Sequence, residues 1–234
     1  GRVAAGAIAK DILKQLNKEV CAYTKSIGNV SINYNNCQTD NIQMSPFSMP
    51  DLDASSKVEK LIEEKMEEKD SLGGIIECIV SGMPTGIGQP VFEKLDANLA
   101  KSILSIGAVK GIEFGSGFDA ATRTGSENND SFAVNSSGEI YKLTNHAGGV
   151  LCGISDGSEI VFRAAVKPTS SIEKTQKTIN KSKENIEINV KGRHDPLIVP
   201  RAVVVVEAMT AITLVDMIFM NMTSKMDNII KFYK

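Results

Sequence analysis

The chain has no tryptophan and only two histidines, His146 and His194, and its four cysteines, Cys21, Cys37, Cys78 and Cys152, form no C-x-x-C pair. That scarcity argues against a structural zinc, whose tetrahedral sites draw on clustered Cys and His. Neither sign of charge dominates: 26 Lys and Arg face 28 Asp and Glu, a formal net charge of −2. No general basic field therefore draws the chain to nucleic acid. Val3 to Ile8 is too short and too rich in small residues for the apolar core of a signal peptide, so the thiols read as reduced and the location as cytoplasmic. Residue 1 is Gly rather than Met, and a helical pattern starts at once without an N-cap residue. The expectation is a chain that begins inside something larger.

What is present is an ordinary globular composition, 42% apolar and 23% charged over 234 residues, which excludes disordered and collagen-like classes. A chain of this length buries roughly 70% or more of its unfolded surface, enough for a core without disulfides, and a single domain over 1–234 is expected. Ala4, Ile8, Ile12 and Leu16 recur at four-residue intervals and predict a helix with that stripe buried. Strands are expected over 19–27 and 29–34, then a polar stretch over 35–53. Ser56-x-x-Glu59 is a capping-box signature ahead of an amphipathic helix with Val58, Leu61, Ile62 and Met66 on its apolar face.

A buried strand over 73–80 runs into a glycine-rich turn over 81–88, and Pro90 is expected to open a helix through Phe92, Leu95, Leu99 and Ile103. Strand, glycine turn and helix make a phosphate cradle in outline, but the spacing is neither a Walker A loop nor a dinucleotide fingerprint. Further strands are expected over 109–114, 138–143, 150–154 and 159–166, around a polar loop at 115–129 whose length points to function or mobility. The final helix should run from about Arg201 towards Ile230. Its apolar stretch carries Glu207 and Asp216, each costing about 2.5–3.5 kcal/mol at a bilayer centre, so a buried helix is expected and no membrane partner.

Chemistry-bearing residues gather late. Between Lys167 and Arg193 seven bases outnumber three acids, a local excess suited to a phosphorylated small ligand. The lysines from 174 to 183 read as a solvated loop. The hydroxyls of Thr169, Ser170 and Ser171 beside Lys167, and the compact Gly192-Arg-His-Asp-Pro196, read as a site. Arg193 offers a planar fork for phosphate, and His194 with Asp195 could exchange protons near neutral pH. Adjacent residues need not face each other, however, and such a dipeptide is more often structural. No G-x-S-x-G elbow or Cys/His arrangement supports a nucleophile.

Several of these turns together resemble the chorismate synthase family: Arg2-Val-Ala-Ala-Gly-Ala-Ile-Ala-Lys10, Asp70-Ser-Leu-Gly-Gly74, Gly86-Ile-Gly-Gln-Pro90, Lys94-Leu-Asp-Ala97, Val109-Lys-Gly-Ile-Glu-Phe-Gly115, Asn145-His-Ala-Gly-Gly149, Lys167-Pro-Thr-Ser-Ser171 and Gly192-Arg-His-Asp-Pro196. They stand in the family's order. The resemblance implies an α+β fold, a β-α-β sandwich of antiparallel sheets with helices packed between them, in a cytoplasmic homotetramer. It implies a lyase of the shikimate pathway that converts 5-enolpyruvylshikimate 3-phosphate to chorismate by 1,4-elimination of phosphate. Reduced FMN is required, and some members reduce their flavin with NADPH.

Carried over by position, flavin contacts fall on Gly107, Ala108, Cys152, Lys167, Pro168, Thr169, Ser170, Ser171 and Arg193, and Asp195 matches an aspartate near flavin N5 that assists removal of the substrate proton. The resemblance also implies that these turns meet at one flavin. Three positions depart from the pattern: Gly107 where Asn is common, Cys152 where Gly is common, and Leu197 where Cys is frequent. The family's proton-donating histidines, most of its substrate-binding arginines and an Arg-Ser-Ser flavin segment lie upstream of the helix that starts at Arg2. Neither His146 nor His194 matches those histidines. The chain is therefore expected to be the C-terminal portion of such an enzyme, inactive alone; the alternative is a truncated, non-catalytic flavin-binding or subunit-assembly remnant.

Overall fold

The structure, a computed structural model, describes residues 1–192 and 194–234. Helix α1 (Arg2–Gln15) leads into strands β1 (Glu19–Ile27) and β2 (Val30–Ser31). The short helix α2 (Asn41–Met44) and helix α3 (Leu52–Glu67) precede β3 (Gly74–Ser81), α4 (Leu95–Leu104) and β4 (Val109–Phe114). After the short α5 (Gly125–Asn128) come β5 (Phe132–Val134), β6 (Ile140–Lys142), β7 (Val150–Leu151), β8 (Ile154–Ser155) and β9 (Ile160–Val166). Strands β10 (Gln176–Ile179) and β11 (Asn185–Ile188) precede α6 (Val199–Met222) and α7 (Met226–Tyr233). One five-stranded sheet has the order β2-β1-β3-β9-β4, and β5–β6, β7–β8 and β10–β11 form separate two-stranded hairpins. The class is α+β.

By its contacts the chain divides into two compact units, one of Gly1–Ala22, Glu77–Ala164 and Val204–Lys234, the other of Tyr23–Ile76 and Ala165–Val203. In the first unit the buried face of α1 is Gly6, Ala9 and Leu13, not the expected stripe: Ile8 and Leu16 are exposed. A Cβ on Gly6 would lie 2.6 Å from the Cα of Ala208. Backbone approach at a glycine therefore chose the face, overriding side-chain hydrophobicity. Helix α6 is the one described helix long and apolar enough to cross a membrane, and half of that stretch is buried in the chain. Its Glu207 accepts the Ala22 N–H at 3.0 Å and pairs with Lys10. The helix stops at Met222 and α7 restarts at Met226, so the expected continuous helix is broken.

Four other expectations change in the first unit. Residues 90–94 form turns, with Phe92 almost fully exposed, and α4 begins only at Leu95. The polar loop holds a 3-10 turn at Gly117–Thr122 and α5. Residues 138–143 reduce to β6, paired with an unexpected β5. The single strand over 150–154 is a hairpin, Val150 facing Ser155 and Leu151 facing Ile154. Its loop residues Cys152 and Gly153 both have positive φ, 51° and 84°, the combination that a type I′ hairpin turn requires.

In the second unit, α3 starts earlier than the capping box implied. Asp51 caps it, accepting from the N–H groups of Asp53 and Ala54, whereas Ser56 donates its hydroxyl to the Leu52 carbonyl one turn back. Ala54, Ser55 and Val58 are buried and Met66 is exposed. The expected strand over 29–34 shrinks to β2 and is followed by a 3-10 turn at Tyr34–Asn36, and α2 was not foreseen. The lysine-rich segment is not a loop throughout: β10 and β11 pair from Gln176↔Ile188 to Ile179↔Asn185.

Candidate functional site

In the second unit, residues 69–73 follow the end of α3 and join two of the chemistry-bearing segments. Lys69 has φ of 57° and reverses the chain. From there Ser71 Oγ donates to the Thr169 carbonyl at 2.6 Å, and the Leu72 N–H donates to the Pro196 carbonyl at 2.9 Å. Leu72 and Leu197 form a parallel bridge. Gly73 must be glycine, because a Cβ there would meet the Val166 carbonyl at 2.5 Å and Pro168 Cδ at 3.0 Å. A cleft of about 250 Å³ results, with Met66, Lys69, Asp70, Ser71, His194 and Asp195 among its walls.

Charges in this cleft are paired. Lys174 holds Asp70 at 2.9 Å and Lys69 faces Glu173 at 3.5 Å, while the Lys174 N–H donates to the Lys69 carbonyl. The Lys174 hydrogen bond, helped by the Ser71 N–H, holds the Asp70 carboxyl below the usual aspartate range, and the same bond raises the Lys174 ammonium. Lys174, expected to be a solvated residue, thus ties the start of the lysine-rich segment to the cleft. Arg201, in the first turn of α6, reaches Asp195 Oδ2 at 2.6 Å. His194 Nε2–H instead donates to the Val190 carbonyl at 2.9 Å. The two neighbours therefore make no proton-exchanging pair in this arrangement, and His194 is occupied structurally.

Within the hydroxyl segment Lys167, Pro168, Ser170 and Ser171 are exposed and Thr169 is half-buried. Thr169 Oγ1 is buried with no hydrogen-bond partner among the described residues. An unmet buried hydroxyl costs about 1–3 kcal/mol, and the residues of this segment open to a ligand are Lys167, Ser170 and Ser171. Arg193 lies outside the described residues. Gly107, Ala108 and Cys152 belong to the first unit. Gly107 is exposed with open space around it, Ala108 has φ of 69°, and Cys152 is exposed in its hairpin turn.

The glycine turns of the first unit are held by backbone contacts. The Leu95 N–H donates to the Gly153 carbonyl at 2.7 Å, and Ser155 Oγ accepts from the Ile87 N–H at 2.9 Å. Asn145 to Gly149 wraps onto Asp130, which accepts from the N–H groups of His146 and Ala147 at 2.7 and 3.0 Å and from Thr144 Oγ1 at 2.7 Å. His146 Nδ1–H donates to the Asn128 carbonyl at 3.1 Å, so this histidine too is structural. Sequence reasoning passed over Asp130, Ser71 and Arg201 as working residues. Only Ser71 carried a signal, lying inside the quoted stretch Asp70 to Gly74.

Fold and site together define an α+β protein whose hydroxyl loop and carboxylate-bearing turn are pinned to one short connecting segment. Residues 1–219 match the family model described as chorismate synthase. Two chorismate synthases, from Lachnoclostridium phytofermentans and Lachnospira eligens, are each 62% identical over 234 residues, the whole of this chain and 64% of theirs. A solved structure titled "Crystal Structure of Chorismate Synthase" superposes with a TM-score of 0.79 at 28% identity, over 95% of this chain and 63% of that one. The chain belongs to the chorismate synthase family. It spans 64% of the length of these curated relatives.

Proposed function

We propose that this chain is the C-terminal portion of a chorismate synthase, a carbon–oxygen lyase of the shikimate pathway that serves aromatic amino-acid biosynthesis. It acts on 5-enolpyruvylshikimate 3-phosphate and forms chorismate by 1,4-elimination. The observation that carries this reading is identity of 62% sustained over all 234 residues to proteins of that name. The bond to phosphate breaks with its electron pair, the C6–H pair becomes part of the new diene, and the proton passes to a base. Asp195 assists that removal, with Arg201 facing its carboxylate.

Reduced FMN, when bound, would lend electron density to the elimination with no net oxidation or reduction. The residues fit such a group: the segment of Lys167 with the hydroxyls of Thr169, Ser170 and Ser171 suits a phosphate, and Lys167, Ser170 and Ser171 are exposed to meet one. Arg193 offers a bidentate fork to the same class of anion, and the tight turns at Gly107, Ala108 and Cys152 offer backbone amides. The complete protein works as a cytoplasmic homotetramer, and NADPH is a candidate source of reducing equivalents for the flavin. Residues 1–234 alone are inactive in this reading, because the curated relatives are longer and the remaining proton donors and arginines belong to the rest of the enzyme.

The test is anaerobic conversion of 5-enolpyruvylshikimate 3-phosphate with reduced FMN, following chorismate by absorbance and phosphate by release. The complete polypeptide should produce both in equal amounts, and residues 1–234 neither. Turnover by 1–234 alone would refute the need for further residues. Absence of turnover in the complete polypeptide would refute the activity.

A further inference from the structure

We infer that Ser71 is a positioning residue for the flavin phosphate: it grips the carbonyl of Thr169 and so holds in place the loop that carries the exposed Ser170 and Ser171. The inference rests on the flavin reading above and adds to it a residue from a different part of the chain. Ser71 and Thr169 are 98 residues apart in sequence and joined by a 2.6 Å hydrogen bond, the Ser71 hydroxyl donating.

Two features make Ser71 a latch. First, its own position is fixed from both sides: its N–H donates to Asp70 Oδ1 at 2.9 Å, and the next residue, Leu72, donates to the Pro196 carbonyl at 2.9 Å. Second, the segment it holds has few other ties. Pro168 has no N–H to donate, Ser170 and Ser171 are exposed, and the long Gln176 Nε2 contact to the Ser170 carbonyl is 3.5 Å. Gly73 then lets the chain pass against the Val166 carbonyl and Pro168. The loop's hydroxyls are consequently presented from a frame set by residues 70–73. A hydroxyl that is already oriented binds a phosphate oxygen without first losing loop freedom, and this preorganisation raises affinity.

The experiment is a fluorescence titration of the full chain, wild type, Ser71→Ala and Ser71→Thr, with FMN and with riboflavin, which lacks the phosphate. Wild type should prefer FMN. Ser71→Ala should lose FMN affinity about tenfold, the scale of one lost hydrogen bond, with riboflavin affinity unchanged, so that the preference for the phosphorylated flavin collapses. Ser71→Thr, which keeps the hydroxyl, should retain the preference. Thermal melts without flavin accompany the titration: a purely structural serine would lower the melting temperature and weaken both flavins together, and that result would overturn the inference. Equal FMN affinity in wild type and Ser71→Ala would overturn it too while leaving the flavin reading intact. No saturable FMN binding by wild type would overturn the flavin reading, and this inference with it.

Discussion

Asp195 is placed by two constraints of unequal reach. Its backbone lies beside Pro196, whose carbonyl accepts from Leu72, and its carboxylate faces Arg201. An arginine in the first turn of a helix opposes the helix dipole, which favours anions at that end by about 0.3–1 kcal/mol. The nearby Asp195 carboxylate offsets that misfit. Asp195→Asn in the complete enzyme should lower turnover by about 10²–10⁴-fold, the usual contribution of a positioned base, and leave FMN affinity nearly unchanged. Steady-state rates with a parallel flavin titration check this; equal turnover would remove Asp195 from the mechanism. At this scale the sequence was legible only where a motif carried the residue. The His194-Asp195 dipeptide reads as more often structural than catalytic, and a carbonyl four residues back does occupy the His194 ring. The Ser71–Thr169 contact could not be read, because no local pattern joins residues that far apart.

Elements were legible where burial alone decides them. Strands β3, β4 and β9 follow their apolar runs to within a residue or so. Helix α1 shows the limit: its strongest stripe faces outward because Gly6 can approach Ala208 and a larger residue cannot. The β10–β11 hairpin was hidden by its composition, since Lys177, Ile179 and Ile188 lie on exposed strands that bury little.

The hairpin β5–β6 rests instead on charge. Lys142 pairs with Asp156 and stands 3.7 Å from Asp130, and all three side chains are less than 10% exposed. Burial pushes both carboxyls up, but hydrogen bonds from Ala147, Thr144 and His146 to Asp130, and from Lys142 and Ser158 to Asp156, outweigh it and hold both below the ordinary aspartate value. A carboxyl lowered by folding adds stability above its unfolded value, about 3.9, and loses it as the pH falls through the folded value. Thermal melts should therefore be flat from neutral pH to about 5 and fall below about 4. Lys142→Met should cost about 3–5 kcal/mol at neutral pH, the price of stranding buried charge, and less in acid, where the carboxyls protonate. A penalty independent of pH would contradict this account of the hairpin.

At the scale of the whole molecule, identity to the curated relatives runs over every residue while the chain covers 64% of their length. The α+β class and the family were legible in advance because eight short stretches stood in the family's order, each weak alone. The division into two units was not, since the boundaries fall inside β1, β3, β9 and α6, where composition does not change. Arg193 lies outside the described residues, and the second unit still assembles a hydroxyl loop, an aspartate and a cleft from segments that residues 69–73 hold together.

A crystal structure of the chain soaked with FMN tests that assembly most directly. The account predicts the flavin phosphate within hydrogen-bond distance of Ser170 or Ser171, with Ser71 still bound to the Thr169 carbonyl and the ring beside Asp195. Flavin seated away from this loop and from Asp195, or no flavin bound at saturating FMN, would contradict it.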